Sequence, residues 1–379
     1  MGRRTFSLVT MFVLVGVTAA LSAAPAGAAT VTTEAELRTA FAADTTVDLG
    51  ADITLTDCGA GDGGSLLRPD TNTDPVTLDG HGFTITQTCA SNAVVQNSTA
   101  GMTVRNLTVT GGDTDGSGGG LFSLGDLTLE DSVLIGNKAD GAGGGAVTDG
   151  VLVVRRTSVV GNSTGKGGGG LQGNLEVTVI DSNVSDNING GIGTSGSETA
   201  TLTLINTTVH HNTLADLGGG VFSGGDATFI YATVTDNAAN SAFANVDVGT
   251  LSSFGSVVTN SAGAVNCLVN PASVSLGYNF SDDDTCGFTA PTDHEKAGDP
   301  KLGPLASNGG PTQSQLPLAD SPLRDAIPAA VCPTDITTDQ RGVVRPQAGF
   351  CDIGSVEVEV VTPVPVTPVP LPITPRFTG

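Results

Sequence analysis

The sequence predicts an all-β fold, a parallel β-helix with about 25 residues per coil and a helical cap at its N-terminal end. The first observation is an internal repeat of 25 residues, which runs through successive units without insertion or deletion. The second is the alternation of apolar and polar residues within a unit, which is typical of short strands. The third is the composition, 53 glycines with only 4% aromatic residues and no tryptophan, which disfavours an ordinary helical domain.

Three columns set the register of this repeat. One apolar column consists of Val104, Leu129, Val154, Val179, Leu204 and Phe229. A second apolar column consists of Val109, Leu134, Val159, Val184, Val209 and Val234. The third column is polar and consists of Asn137, Asn162, Asn187, Asn212 and Asn237. Short strands are unstable alone but stable when coils stack, so we expect the apolar columns to fill a core and the asparagines to form a ladder at a turn.

The N-terminal part of the repeat is less regular. Residues 33–43 (TEAELRTAFAA) predict a short amphipathic helix with Thr33 as its N-cap, which would cover the open end of the solenoid. Residues 52–55 and 76–79 have the alternation of further coils.

Residues 1–28 are typical of an export signal. Arg3 and Arg4 precede a mostly apolar stretch and small residues that suit cleavage, and both general secretion and twin-arginine export stay open. No later segment is long and apolar enough to cross a membrane. We therefore expect a secreted, extracellular or loosely wall-associated protein.

Six cysteines in an exported chain predict three disulfides. The simplest of the possible pairings joins sequence neighbours, namely Cys58–Cys89, Cys267–Cys286 and Cys332–Cys351. The formal net charge of −23 excludes nucleic acid and anionic membranes as favoured partners, because both bind basic surfaces.

The stacked repeat resembles the pectate-lyase-like right-handed β-helix superfamily, and this resemblance implies a right-handed coil. The glycine runs, such as residues 143–146 (GGGA) and 218–222 (GGGVF), are also similar to bacterial polymorphic outer-membrane protein repeats. These resemblances imply a fold and leave the activity open, since one scaffold carries many functions.

The C-terminal third contains a more specific series of motifs. In order these are DPKLGPL at 299–305, NGGPT at 308–312, SP at 321–322, DQRG at 339–342, RP at 345–346 and CDIG at 351–354. Together they resemble the choice-of-anchor Q domain of exported bacterial β-helix proteins, which by resemblance precedes surface anchors and has no assigned catalytic residues. Residues 371–374 (LPIT) resemble the start of a sortase motif, but Pro375 replaces its glycine, so no working wall anchor is expected.

The expected organisation has four parts. Residues 1–28 form the signal peptide, and residues 29–260 form the β-helix, whose regular coils span about 101–250. Residues 261–358 form the anchor-Q-like region, and residues 359–379 form a Pro-rich tail.

One column has the residue types of lyase chemistry. By resemblance, polysaccharide lyases of this fold use Ca²⁺-binding acids and an arginine or lysine base on neighbouring coils. The candidates here are Asp131, Arg156 and Asp181, which stack at about 4.8 Å per coil. The favoured alternative is an ion ladder that keeps stacked charges from repelling each other.

Two other clusters contain polar groups of the right type for a site. Asp113, Asp115 and Ser117 match the first half of an EF-hand loop, so Ca²⁺ is a candidate cofactor, with a plain coil turn as the alternative. A second column stacks Asp186, His211 and Asp236, where a histidine beside carboxylates could act as an acid, and a solvated turn is the favoured alternative.

These observations predict a secreted or cell-surface scaffold, adhesin-like and without a clear catalytic site. The alternative is an extracellular polysaccharide lyase or glycoside hydrolase that uses the Asp131 column. The expected partner is a polysaccharide or a surface protein, and we expect a monomer. Ile180, Ile205 and Ile230 form an outward apolar stripe that we expect to lie beneath the C-terminal region.

Overall fold

A computed structural model describes residues 30–59, 63–98, 101–214, 219–239, 244–259, 265–270 and 273–360. The predicted export signal and the sortase-like residues near the end of the chain lie outside the described residues. Stacked parallel coils form the predicted right-handed β-helix, with three main strands in a regular coil. No helix in the described part of the chain is long and apolar enough to cross a membrane.

The first two strands of each coil belong to one large sheet, here named sheet A. All of its pairings are parallel, and in the regular coils they join residues 25 positions apart, such as Leu129 with Val154. Its strands are Thr30–Val31, Thr46–Leu49, Leu66–Arg68, Val76–Asp79, Val95–Asn97, Met102–Arg105, Leu121–Ser123, Leu127–Glu130, Ala146–Thr148, Val151–Arg155, Leu171–Gly173, Glu176–Ile180, Ile192–Thr194, Thr201–Ile205, Val221–Ile230, Ala244–Phe254, Val265–Val269 and Val274–Gly277.

The third strand of each coil belongs to sheet B. Its strands are Ile53–Leu55, Thr84–Gln87, Thr108–Thr110, Val133–Ile135, Ser158–Val160, Asn183–Ser185, Thr208–His210, Thr233–Thr235, Val257–Thr259 and Phe280–Ser281. Parallel pairing therefore continues to Ser281, about one coil beyond the boundary that we expected near residue 260.

Shorter strands complete the coils. Parallel two-residue strands lie at Asp113–Thr114, Lys138–Ala139, Ser163–Thr164, Thr213–Leu214 and Ala238–Ala239. After the last coil the pairing becomes antiparallel, with Leu302–Ala306 beside Ser314–Pro317 and Ile327–Pro328 beside Phe350–Cys351.

The two apolar columns fill the core, as predicted. Every one of their side chains from Val104 to Val234 is fully buried. The asparagine column forms the predicted ladder: each amide lies in the interior and bonds the asparagine of the next coil, as Asn162 does with Asn187 at 3.0 Å. Each rung also donates to a main-chain carbonyl of an earlier strand, so the ladder satisfies buried backbone groups at the turn.

The helix Glu34–Ala43 closes the N-terminal end of the solenoid, as predicted. Thr33 is its N-cap and forms a reciprocal capping box with Glu36, which satisfies two free N–H groups of the first turn. The buried face of the helix consists of Leu37 and Phe41, which join the core of the first coils.

The structure contains the three predicted disulfides, Cys58–Cys89, Cys267–Cys286 and Cys332–Cys351. They lie near the N-terminal coils, at the last coil and within the C-terminal region. Each closes a short loop, which on the chain-entropy account adds about 3 kcal/mol to the free energy of unfolding.

The C-terminal region covers one half of sheet B. All three residues of Thr233–Thr235 are buried, whereas Ile135, at the equivalent outward position of an earlier coil, is 42% exposed. Thr208 bonds both Gln340 and Ser355, and the hydroxyl of Thr233 accepts from the N–H of Ser355. Ile230 packs against the apolar cluster of this region, as expected for the C-terminal end of the isoleucine stripe.

Candidate functional site

The turn between sheet A and sheet B holds one left-handed residue per coil. We name this set the first turn column, and its φ angles lie between 46° and 54° at His81, Asn106, Asp131, Arg156, Asp181, Asn206 and Tyr231. The N–H of each from Asn106 to Tyr231 bonds a carbonyl of the next coil at 3.1 Å, so coil-to-coil pairing imposes the conformation. The conformation is costly for most residues other than glycine, asparagine and aspartate. The side chains of the column point away from the core, and those of Asn206 and Tyr231 are buried beneath the C-terminal region.

Asp131 and Arg156 form a bidentate ion pair in this column. The Nε and Nη2 atoms of Arg156 each donate to a carboxylate oxygen of Asp131 at 2.7 Å. Both side chains are about two-fifths exposed, at 38% and 41%. The hydrogen bonds that Arg156 donates to Asp131 raise the pKa of the guanidinium further, so it holds its proton and is a poor base.

Asp181 has different partners from the other two candidates. Its carboxylate accepts from Nδ2 of Asn206 at 3.1 Å, and its main-chain carbonyl accepts from the hydroxyl of Thr312 at 3.3 Å. Burial raises the pKa of Asp181 to about 6, although Asn206 and Arg156 both act to lower it. The structure thus pairs Asp131 with Arg156 and places Asp181 beside the C-terminal region.

The three calcium candidates each bond a different neighbour. Asp113 forms an ion pair with Nζ of Lys138 at 2.9 Å. Asp115 accepts from Ser91 at 3.4 Å, and the hydroxyl of Ser117 accepts from the N–H of Ala142. A cation bound to Asp113 would therefore compete with the lysine ammonium group.

The histidine column contains two histidine–carboxylate pairs. Nδ1 of His211 lies 2.7 Å from Asp186, whereas Asp236 lies 3.5 Å from Nδ1 of the neighbouring His210. Burial lowers the pKa of His210, so this ring favours its neutral form. The two carboxylates of the column are thus shared between two rings.

The sequence search missed a cluster on the first coils. Nε2 of His81 lies 3.2 Å from Asp48, and its Nδ1 lies 3.7 Å from Asp79. Asp79 also accepts from Nε of Arg105 at 2.7 Å. Asp48 and Asp79 are 31 residues apart rather than 25, so a search along the regular repeat did not align them. The structure reveals the cluster because it pairs the two residues in register on neighbouring strands.

A shallow cleft of about 560 Å³ opens beside this cluster. The cleft follows the first turn column onto the uncovered half of sheet B. It is lined by His81, Gly82, Asn106, Leu107, Thr108, Asp131 and Val133. The cleft therefore connects the His81 cluster with the carboxylate of the Asp131–Arg156 pair.

The C-terminal motifs build a buried ionic network. Arg341 pairs with Asp339 at 2.9 Å, and Arg345 pairs with Glu357 at 2.9 Å, with all four side chains at most 8% exposed. The arginines also donate to main-chain carbonyls, as Arg345 does to Gly354 at 2.7 Å. These residues hold the region together and dock it, and they do not line an open site.

Fold and site together define a parallel β-helix protein with a polar turn column and a covered C-terminal half. A family model described as "Putative pectate lyase-like adhesive domain" matches residues 28–137, less than a third of the chain. The chain is similar to this family over the helical cap and the first coils, where the His81 cluster lies. No curated protein and no solved structure matches the chain.

Proposed function

We propose that this protein is a secreted or cell-surface adhesin-like scaffold without a catalytic site. The observation that carries the proposal is the bidentate bond between Arg156 and Asp131, which occupies the one arginine of the lyase-like column. The similarity of residues 28–137 to an adhesive domain supports the same conclusion. The three disulfides fit an extracellular location.

The second candidate is a polysaccharide lyase or glycoside hydrolase that uses Asp131, Arg156 and Asp181. Two observations favour it. Asp181 has a pKa of about 6, which suits an acid near neutral pH, and Asp131 lines the cleft. Against it, Asp181 bonds Asn206, and Thr312 of the C-terminal region bonds the main chain of Asp181.

The proposed organisation retains the four parts expected from the sequence. An export signal precedes the β-helix, an anchor-Q-like region follows it, and a Pro-rich tail ends the chain. The buried network of Arg341 and Arg345 supports the proposal that the anchor-Q-like region, beyond the last coil that ends at Ser281, acts as a folded, docked unit rather than as a loose spacer. We also propose, from the glycine runs, that the chain is similar to polymorphic outer-membrane protein repeats.

The proposed binding surface is the uncovered half of sheet B. It consists of Thr84–Gln87, Thr108–Thr110, Val133–Ile135 and Ser158–Val160, whose outward side chains are hydroxyl-bearing or aliphatic. A flat surface of this chemistry suits a polysaccharide or a surface protein. The chain acts as a monomer in this proposal.

Retention on insoluble polymers and on cell surfaces tests this proposal. The exported chain should sediment with at least one wall polysaccharide or with intact cells, and Ile135→Glu should reduce that retention. Leu175→Glu is the matched control, because Leu175 is also an exposed aliphatic residue, at 58%, and lies outside sheet B. Absence of retention, or equal loss in both variants, would contradict the proposal.

A further inference from the structure

A row of charged residues lies near the C-terminal ends of successive sheet A strands, and in the first coils of this row two acids are direct neighbours. Parallel pairing places Asp48, Asp79, Arg105, Glu130 and Arg155 in register, one on each successive coil. From Asp79 onward every acid has a base as a direct neighbour. Asp48 and Asp79 form the like-charged pair of this series, and like charges directly opposite each other are destabilising.

Asp79 is well satisfied by hydrogen bonds. It accepts from Nε of Arg105 at 2.7 Å, from Nδ2 of Asn106 at 3.1 Å and from the N–H of His81 at 3.1 Å. These three bonds fix the orientation of the Asp79 carboxylate.

Asp48 is much less satisfied. It is 8% exposed, and among the described residues its carboxylate has one hydrogen-bond partner, Nε2 of His81. A buried carboxylate in register with a second carboxylate calls for positive charge. The imidazole of His81, whose side chain is 48% exposed, is the solvent-exposed member of this cluster.

The geometry of these three side chains suits a metal ion. One ligand atom from each of Asp48, Asp79 and His81 lies within 4.8 Å of the other two, and no other such group occurs in the described part of the chain. An imidazole nitrogen with carboxylate oxygens is a ligand set for Zn²⁺ and similar ions, whereas Ca²⁺ takes oxygen ligands alone. Arg105 and Asn106 would orient Asp79 from behind, as outer hydrogen bonds do at metal sites.

We propose that Asp48, Asp79 and His81 bind a divalent cation of the zinc class at the first turn column. Three protein ligands leave a coordination position open, and His81 lines the cleft, so this position faces the solvent. The ion supplies a positive charge beside Asp48, which has no arginine or lysine partner among the residues that the structure describes, whereas Asp79 already pairs with Arg105. The proposal does not rest on the Asp131–Arg156 pair or on the proposed adhesive function.

Titration with Zn²⁺, and with Co²⁺ as a spectroscopic probe, tests the proposal. The exported chain carries no polyhistidine tag and is first treated with a chelator. The variants are His81→Asn, because asparagine occupies the equivalent left-handed position at Asn106 and Asn206, and Asp48→Asn, which keeps the shape of the side chain and removes its charge. The control is His211→Asn, since His211 is also left-handed and bonds one carboxylate, Asp186.

The parent chain should bind one equivalent of Zn²⁺, show a Co²⁺ absorption band and gain thermal stability on binding. His81→Asn and Asp48→Asn should each bind at least tenfold more weakly, and His211→Asn should bind like the parent. Circular dichroism in chelator confirms that the variants fold. The proposal fails if the parent binds no equivalent of metal, if His81→Asn binds like the parent, or if His211→Asn abolishes binding.

Discussion

The guanidinium of Arg345 lies 4.1 Å from the centre of the Tyr231 ring. Tyr231 belongs to the first turn column, and Arg345 belongs to the C-terminal motifs, so this contact joins the solenoid to the region that covers it. The same guanidinium pairs with Glu357 at 2.9 Å, and both side chains are at most 1% exposed. Removal of water strengthens both the ion pair and the cation–π contact.

Arg345→Met should destabilise the docked C-terminal region strongly. The substitution leaves Glu357 buried without its ionic partner, which typically costs about 3–5 kcal/mol. Chemical denaturation should show this loss in the free energy of unfolding. Lys301→Met is the matched control, because Lys301 pairs with Asp320 at the surface, and such pairs contribute about 0–1 kcal/mol. Equal effects of the two substitutions would refute the docking role.

The asparagine ladder makes a second prediction. Asn187→Ala removes bonds to Val159 and Asn212 and leaves the donors of Asn162 without their acceptor. Since buried unsatisfied groups cost about 1–3 kcal/mol each, the free energy of unfolding should fall by about 2–4 kcal/mol. Urea unfolding measures this fall in the free energy of unfolding.

The control for the ladder is Asn174→Ala. Asn174 also bonds a residue one coil away, Asp149 at 2.6 Å, but it does so at the surface. Its loss should stay below about 1 kcal/mol. If Asn187→Ala lowered the free energy of unfolding no more than Asn174→Ala does, the stacked amides would not be needed for stability.

A third prediction concerns pH. Burial raises the pKa of Glu357 from 4.5 to about 7 and that of Asp181 from 3.8 to about 6, although Arg345 and Asn206, respectively, act to lower them. Because these folded-state values lie above the unfolded ones, the folded protein binds more protons in this interval. The contribution of both groups to stability is therefore complete at low pH and is lost as the pH rises from about 4 to about 7.

Urea unfolding from pH 4.5 to 7.5 measures this effect as a difference between parent and variant. Asp181→Asn keeps the shape and suits the left-handed backbone, so it should make the fall in unfolding free energy with pH less steep. Glu34 has the opposite effect on stability: burial raises its pKa, but its hydrogen bonds outweigh burial and lower the pKa to about 2, so its contribution is lost as the pH falls. Because parent and variant both contain Glu34, its effect cancels in the difference between them. A parallel pH profile in Asp181→Asn would overturn the prediction.

Much of the fold could be predicted because each coil of the repeat has the same packing and hydrogen-bonding requirements. Each regular coil needs an apolar residue at the Leu129 position, which recurs six times in register, and an amide at the Asn162 position, which recurs five times. The helical cap was predictable for a local reason, since Thr33 and Glu36 form a capping box within four residues.

The sites were less predictable because they depend on contacts that the repeat does not encode. The search for a lyase-like column grouped Asp181 with Arg156, but the C-terminal region supplies Thr312 to that turn, and Thr338 to Asn206 on the next coil, from more than 100 residues away. The His81 cluster joins coils of unequal length, so no fixed period aligns Asp48 with Asp79. Long-range packing and irregular coils decided both outcomes.

The most direct test of the scaffold assignment is a count of new reducing ends. The chain without its predicted export signal, and its Arg156→Asn variant, are incubated with polyuronides and neutral wall polysaccharides, with and without Ca²⁺. Asparagine suits the φ of 46° at this position, and the lost pair is exposed, so the variant should fold with a loss below about 1 kcal/mol. If the protein is a scaffold, neither the parent nor the variant produces new reducing ends. New ends produced by the parent and abolished in Arg156→Asn would contradict the account and make this protein a depolymerising enzyme.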